Sequence, residues 1–224
     1  RVLFRSIFAL ATIPGLIALS LIFFGIKEPE KKQENRKIEK QPFPWTFWFF
    51  VFGMTVAMTT KINDSLFLAR AHEIGISSAW IPVLFAGFTL VYAILSYPLG
   101  VWSDKIGKLP LITAGWLILS LVEYGFAHET KIETALILFG FYGLFYALTE
   151  GSGRAIIADL VVPEARGSAY AIYNTFIGLA IIIGGYGIGQ IWDKISPHFA
   201  FSFSAFGSLF GFAILFILML IRKK

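Results

Sequence analysis

The sequence predicts an all-α, polytopic transmembrane helix bundle of seven spans, and three observations predict it. The chain is 57% hydrophobic and only 15% charged, against about 25% charged in an ordinary soluble domain. Its mean hydropathy is +0.73, so it carries more apolar surface than one soluble core of this size can bury. Several apolar runs approach the roughly 20 residues that cross a bilayer as a helix. These runs lack the two-residue alternation of a membrane β-barrel. Backbone groups inside lipid need partners within their own segment, so each run is read as a helix. The 24 Phe and 6 Trp fit a lipid-facing surface with aromatic anchors at its rims.

The first span, 6–26, is almost wholly apolar and stops at Lys27. The stretch "KEPEKKQENRKIEKQPFP", 27–44, is charged, poor in large apolar residues and closed by two prolines, which is the composition of a linker. The second span, 45–71, carries Thr55, Thr59, Thr60, Lys61, Asn63 and Asp64; the third, 77–99, carries Thr89, Tyr92 and Ser96. The fourth, 109–127, offers mainly Thr113, Ser120 and Glu123, and Glu123 is expected at the outer surface, in water. The fifth, 132–161, holds Tyr142, Tyr146, Thr149, Glu150, Ser152 and Arg154, and the sixth, 167–191, holds Ser168, Tyr170, Tyr173, Asn174 and Thr175. The seventh, 199–221, is nearly all apolar. The expected organisation is a lone helix (1–26), a cytoplasmic linker (27–44) and a six-helix domain (45–224).

Charge sets the orientation. The net charge is +5, and the excess sits in short connectors, which is the pattern of topology signals and not of a nucleic-acid surface. One set of connectors holds Lys27, Lys31, Lys32, Arg36, Lys37, Lys40, Lys105, Lys108, Arg166 and Arg222 to Lys224; the opposite set holds only Arg1, Arg5, Arg70, Lys131 and Lys194. By the positive-inside rule the first set and the C-terminus are cytoplasmic, in a cell (inner) membrane. With seven spans the N-terminus then lies outside. Arg1 is no initiator and no cleavage site follows it, so an incomplete chain is expected. There is no cysteine, and hence no disulfide or thiolate metal site.

Polar groups in lipid are costly and turn toward the bundle interior or a watery cavity. The polar spans are therefore expected to line a path, with the apolar ones outside them; any single hydroxyl can equally be packing glue between helices. Glu150 and Arg154, four apart, share a helix face and can pair as a proton-coupling site or as a structural bridge. Lys61 and Asp64 repeat the arrangement at three apart, nearer the outer end of their span, as a gate or an interface charge. With Tyr146, Tyr173 and Asn174 these four residues are the candidate coupling or substrate path. Gly185 with Gly189, and Gly207 with Gly211, are small-residue pairs that permit close helix packing.

The connector "YPLGVWSDKIGKLPLI", 97–112, joins the third and fourth spans on the cytoplasmic side. Pro98 and Gly100 are expected to end one helix, and Gly107 and Pro110 to open the next. Its core, "GVWSDKIGK", resembles the G-x-x-x-D-(R/K)-x-G-(R/K) signature of the major facilitator superfamily. Gly100, Asp104, Lys105, Gly107 and Lys108 match it; the next position, usually basic in the family, is Leu109. "SLFLARAHEIGIS", "LTEGSGRAIIADLVVPEARGSAYAIYN" and "WDKISP" are also similar to segments of bacterial permeases of that superfamily.

The resemblance implies that the seven spans are helices six to twelve of a twelve-helix secondary transporter, with 45–224 as its C-terminal half and an N-terminal half missing. It implies alternating access for a small-molecule substrate, with a proton as coupling ion and export as one direction. It also implies that the connector is a cytoplasmic gate, in which Asp104 pairs across to the Asp159–Arg166 region, Arg166 being the natural partner. The expected partners are thus the substrate, a proton, the lipid bilayer and the N-terminal half.

No cofactor or metal is expected, nor an enzyme. There is no H-E-x-x-H, the histidines lie apart, and "EGSG" at 150–153 lacks the first glycine of an intramembrane serine-protease motif. A half-transporter acting as a dimer and a non-transporting scaffold stand as the alternatives.

Overall fold

The computed structural model describes residues 42–128 and 131–222, together with Thr12 and Ser20. The chain parts into two units, 1–40 and 41–224, and the helix bundle is the second of them. The expected span 6–26 and linker 27–44 lie outside the described residues, apart from Thr12, Ser20 and 42–44.

Among the described residues every regular element is helical. The order is α1 (Trp45–Thr60), α2 (Asp64–Glu73), α3 (Ile81–Ile106), α4 (Lys108–His128), α5 (Ile132–Leu160), a short 3-10 turn (Pro163–Ala165), α6 (Arg166–Lys194) and α7 (Pro197–Arg222). Helices α3 to α7 are each long and apolar enough to cross a membrane. The protein is a multi-pass, all-α membrane protein.

Two expectations about boundaries are corrected. The second span is not one helix, because it breaks at Lys61–Asn63 into α1 and α2. Asn63 caps α2, its side-chain oxygen accepting from Ser65 N–H at 2.9 Å, and Asp64 places its charge in the first turn. Both are helix-start signals, and they outweigh the apolar run around them.

The third span does not end at Pro98. It runs through Pro98 and Gly100 to Ile106, because an open turn at this depth would leave several carbonyls unpaired in lipid. The Ser96 hydroxyl donates to Ala93 C=O at 3.0 Å beside the proline, so a side chain serves one of the carbonyls there. The connector is Gly107 alone, at φ +92°, a conformation side chains disfavour.

Among the five long helices described, α4 is the most buried: it packs on α5 and α7, and 61% of its apolar window is buried against 11% for α3. Trp116, Ile112, Leu119 and Phe126 are fully buried on it. Phe67 of α2 plugs into the same core against Phe126, Phe139, Tyr142 and Phe201, which anchors the short helix to α4, α5 and α7.

Helix α1 seats in a groove of small residues on α7 and α6. Gly207 faces Thr60 and Gly211 faces Ala57, so this pair does allow close approach. Gly185 and Gly189 have open space beside them; their neighbour Gly184 instead meets the backbone of Thr59.

Candidate functional site

The break between α1 and α2 places Lys61 and Asp64 where no continuous helix would. The Lys61 ammonium lies 3.1 Å from Asp64 Oδ1 and 3.4 Å from the carbonyl of Ile62. Opposite them stands α5, whose Tyr142 and Tyr146 are four residues apart and share a face. Tyr142 donates its hydroxyl to Asp64 Oδ1 at 2.5 Å. Tyr146 donates to the same carboxylate, 2.8 Å from Oδ1 and 2.9 Å from Oδ2.

The ammonium also sits 5.4 Å above the Tyr146 ring and 5.7 Å above that of Tyr142, within cation–π range. Phe88 of α3 packs on both tyrosines, at ring separations of 5.3 and 6.1 Å, and holds them toward the charges.

Depth decides what this means. Tyr146 is the central residue of the 29-residue α5, so the cluster meets α5 at mid-length. Along their own span the two residues flank the break that follows the end of α1 at Thr60. Lys61 is 13% exposed and Asp64 37%, so the pair is shielded on the lysine side and open on the aspartate side.

Tyr142, Tyr146, Glu150 and Arg154 follow one another at four-residue steps along α5. Glu150 and Arg154 form their expected ion pair at 2.9 Å, well exposed. A cavity of about 220 Å³ lies between the two pairs, and Lys61, Asn63, Tyr146, Glu150, Ile181 and Gly185 are among the residues that line it. One member of each candidate pair, Lys61 and Glu150, thus borders the same space. A larger apolar groove of about 740 Å³, lined by α3 and α5 residues such as Trp80, Leu84, Phe88 and Phe139, has no ionisable side chain on its wall.

Most hydroxyls on the polar spans serve their own helices. Thr55, Thr59, Thr60, Thr89, Thr149 and Thr175 each donate to a carbonyl three or four residues back. Tyr173 is buried and stacks on Phe50, while Asn174 is exposed and makes no described side-chain hydrogen bond. The structure brings neither to the Lys61 cluster.

At the other end of α5, Lys108 and Asp159 pair at 2.7 Å. The expected pairing of Asp104 with Arg166 is not made: both are exposed, and among the described residues neither forms an ion pair. Because α3 continues to Ile106, Asp104 lies on its last turn, and Lys108, first residue of α4, reaches Asp159 instead. Gly100 and Lys105 are exposed positions on that same helix end.

The residue that sequence reasoning misplaced is Glu123. It is fully buried, accepting from Ile62 N–H at 3.2 Å and from the Ser208 hydroxyl at 2.6 Å. Its one local signal was a lone carboxylate in an apolar span, and such groups are functional candidates by default.

Ion pairs and tyrosine hydroxyls thus gather against α5 in a membrane bundle, where charges are costly and mark candidate functional sites. A simple anchor has no need of charges there. The chain matches the family model of the Major Facilitator Superfamily over residues 49–224, and it belongs to that superfamily. It is 27% identical to an uncharacterized MFS-type transporter of Methanocaldococcus jannaschii over 96% of this chain and 56% of that protein. It is 28% identical to Multidrug resistance protein 1 of Bacillus subtilis over 77% of this chain and 42% of that protein. Quinolone resistance protein NorA of Staphylococcus aureus is 23% identical over 84% of this chain and 47% of its own length. The chain thus spans about half the length of the curated relatives it matches.

Proposed function

We infer that this chain is the C-terminal part of a secondary transporter that exports a small organic solute in exchange for protons by alternating access. The observation that carries the reading is the cluster of Lys61, Asp64, Tyr142 and Tyr146 at mid-length of α5, whose Lys61 and Tyr146 line the cavity that Glu150 also borders. An ion pair with one shielded and one open partner can exchange its counter-charge with a cationic solute or a proton, and the tyrosine hydroxyls can follow either change. The names of two relatives, which speak of multidrug and quinolone resistance, support an organic solute and outward movement. The Lys108–Asp159 pair, with Asp104 and Arg166 close by in sequence, is the cytoplasmic gate in this reading. The C-terminus is cytoplasmic and the membrane is the cell membrane.

Cells lacking their own exporters and expressing the full-length protein should accumulate less of a quinolone such as norfloxacin than vector controls. A protonophore should erase the difference. Equal accumulation across a panel of organic cations and quinolones would favour the scaffold reading instead. Export by the 224-residue chain alone would favour a half-transporter dimer.

A further inference from the structure

We propose that Glu123 is the positioning residue of the helix break, and that it sets Lys61 and Asp64 against the tyrosines by accepting the one backbone proton donor that the break leaves without a helical partner. Its role in transport rests on the exporter reading; the positioning itself does not.

In a continuous helix Ile62 N–H would donate to the carbonyl of Met58, four residues back. Here Lys61 is extended at φ −64° and ψ 126°, and Ile62 N–H turns to Glu123 Oε1. Ile62 is itself fully buried, so no water can take that donor's place. The carbonyl of the same residue is met from the other side by the Lys61 ammonium. The backbone N–H and C=O of one residue, in two successive peptide units, are therefore each held by an ionisable side chain, one at the rear and one in the site.

Glu123 is in turn fixed. Its second oxygen accepts from Ser208 of α7, on the helix whose Gly207 and Gly211 receive Thr60 and Ala57 of α1. The anchor and the seat of the broken helix thus belong to one rigid element. Were Glu123 to let go, Ile62 N–H would be left in a buried place without its acceptor, and the break that holds Lys61 and Asp64 against Tyr142 and Tyr146 would loosen. Glu123 is the group that holds the break in place.

Hydrogen–deuterium exchange of the full-length protein in lipid nanodiscs tests this, read on the peptide that contains Ile62. Glu123→Leu should raise exchange there about tenfold or more, the effect of losing one hydrogen bond to a charged acceptor, while peptides of α5 and α7 stay at the wild-type rate. Glu123→Gln keeps an acceptor for Ile62 N–H and a partner for Ser208, and should remain near wild type. Ser208→Ala should give an intermediate rise at the same peptide, and it decides the matter if the leucine variant does not fold.

Unchanged exchange in Glu123→Leu or Ser208→Ala overturns the proposal, and so does an equal rise in every helix, which would make Glu123 a general packing residue. A glutamine variant as loose as the leucine variant overturns it too, since charge rather than acceptor geometry would then hold the break. Norfloxacin flux in the same preparations reads the transport role separately. Loss of flux in Glu123→Leu with rescue by Glu123→Gln is expected. A wild-type protein with no flux sinks the transport reading and leaves the exchange result to decide Glu123.

Discussion

Replacing Asp64 by alanine removes a carboxylate that four polar contacts converge on: the Lys61 ammonium, the Tyr142 hydroxyl, and the Tyr146 hydroxyl at both oxygens. Breaking a buried pair from one side costs about 3–5 kcal/mol because the other charge is stranded. Asp64 is more than a third exposed, so water replaces part of what is lost, and the expected cost falls to about 2–3 kcal/mol. Lys61 is the reason it does not fall further, since only 13% of its side chain is exposed.

In thermal unfolding followed by tryptophan fluorescence, that cost lowers Tm by about 4–12 °C for a chain of this size. The double variant Lys61→Met with Asp64→Ala leaves no stranded charge and should recover at least half of the loss. A single variant within about 1 °C of wild type, under the same scaling, would show that the cluster is no interacting unit. A double variant less stable than the single would show that Lys61 is held by something other than Asp64.

Other perturbations separate the structural from the mobile parts. Gly107→Ala forces a side chain into φ +92° and should cost about 1–3 kcal/mol in unfolding free energy, whereas Gly100→Ala, helical with open space beside it, should be neutral or stabilising by about 0.5–1 kcal/mol. Gly211→Ala would put a Cβ 2.5 Å from that of Ala57 and should destabilise by about 1–3 kcal/mol through overpacking, measured by the same melts. Glu150→Gln should shift stability by less than about 1 kcal/mol, since its ion pair with Arg154 is exposed, yet abolish flux if it carries the proton; unchanged flux would remove it from the path.

The membrane class and the helices α3 to α7 could be read from apolar run length alone, because lipid leaves a long apolar segment one stable choice. The ion pair 150–154 could be read from helical spacing, whereas the 61–64 pair forms across a helix break that spacing does not show. What escaped was of two kinds. Local chemistry overrode hydropathy at Asn63–Asp64, where a capping signal split a span, whereas at Pro98 the local breaker was itself overridden and the helix continued. Long-range chemistry was invisible: Glu123 meets Ile62 and Ser208, 61 and 85 residues away along the chain, and no spacing rule joins them. Tyr142 and Tyr146 were legible as polar residues of one span, but their aim at Asp64 depends on the helix break, which hydropathy hides.

The most direct test of proton-driven export through the Asp64 cluster is norfloxacin flux driven by an imposed pH gradient, in liposomes holding the purified full-length protein, with wild type beside Asp64→Asn. Gradient-driven flux is predicted in wild type, and only the leak of empty liposomes in the variant. Flux at the wild-type rate in Asp64→Asn would contradict it.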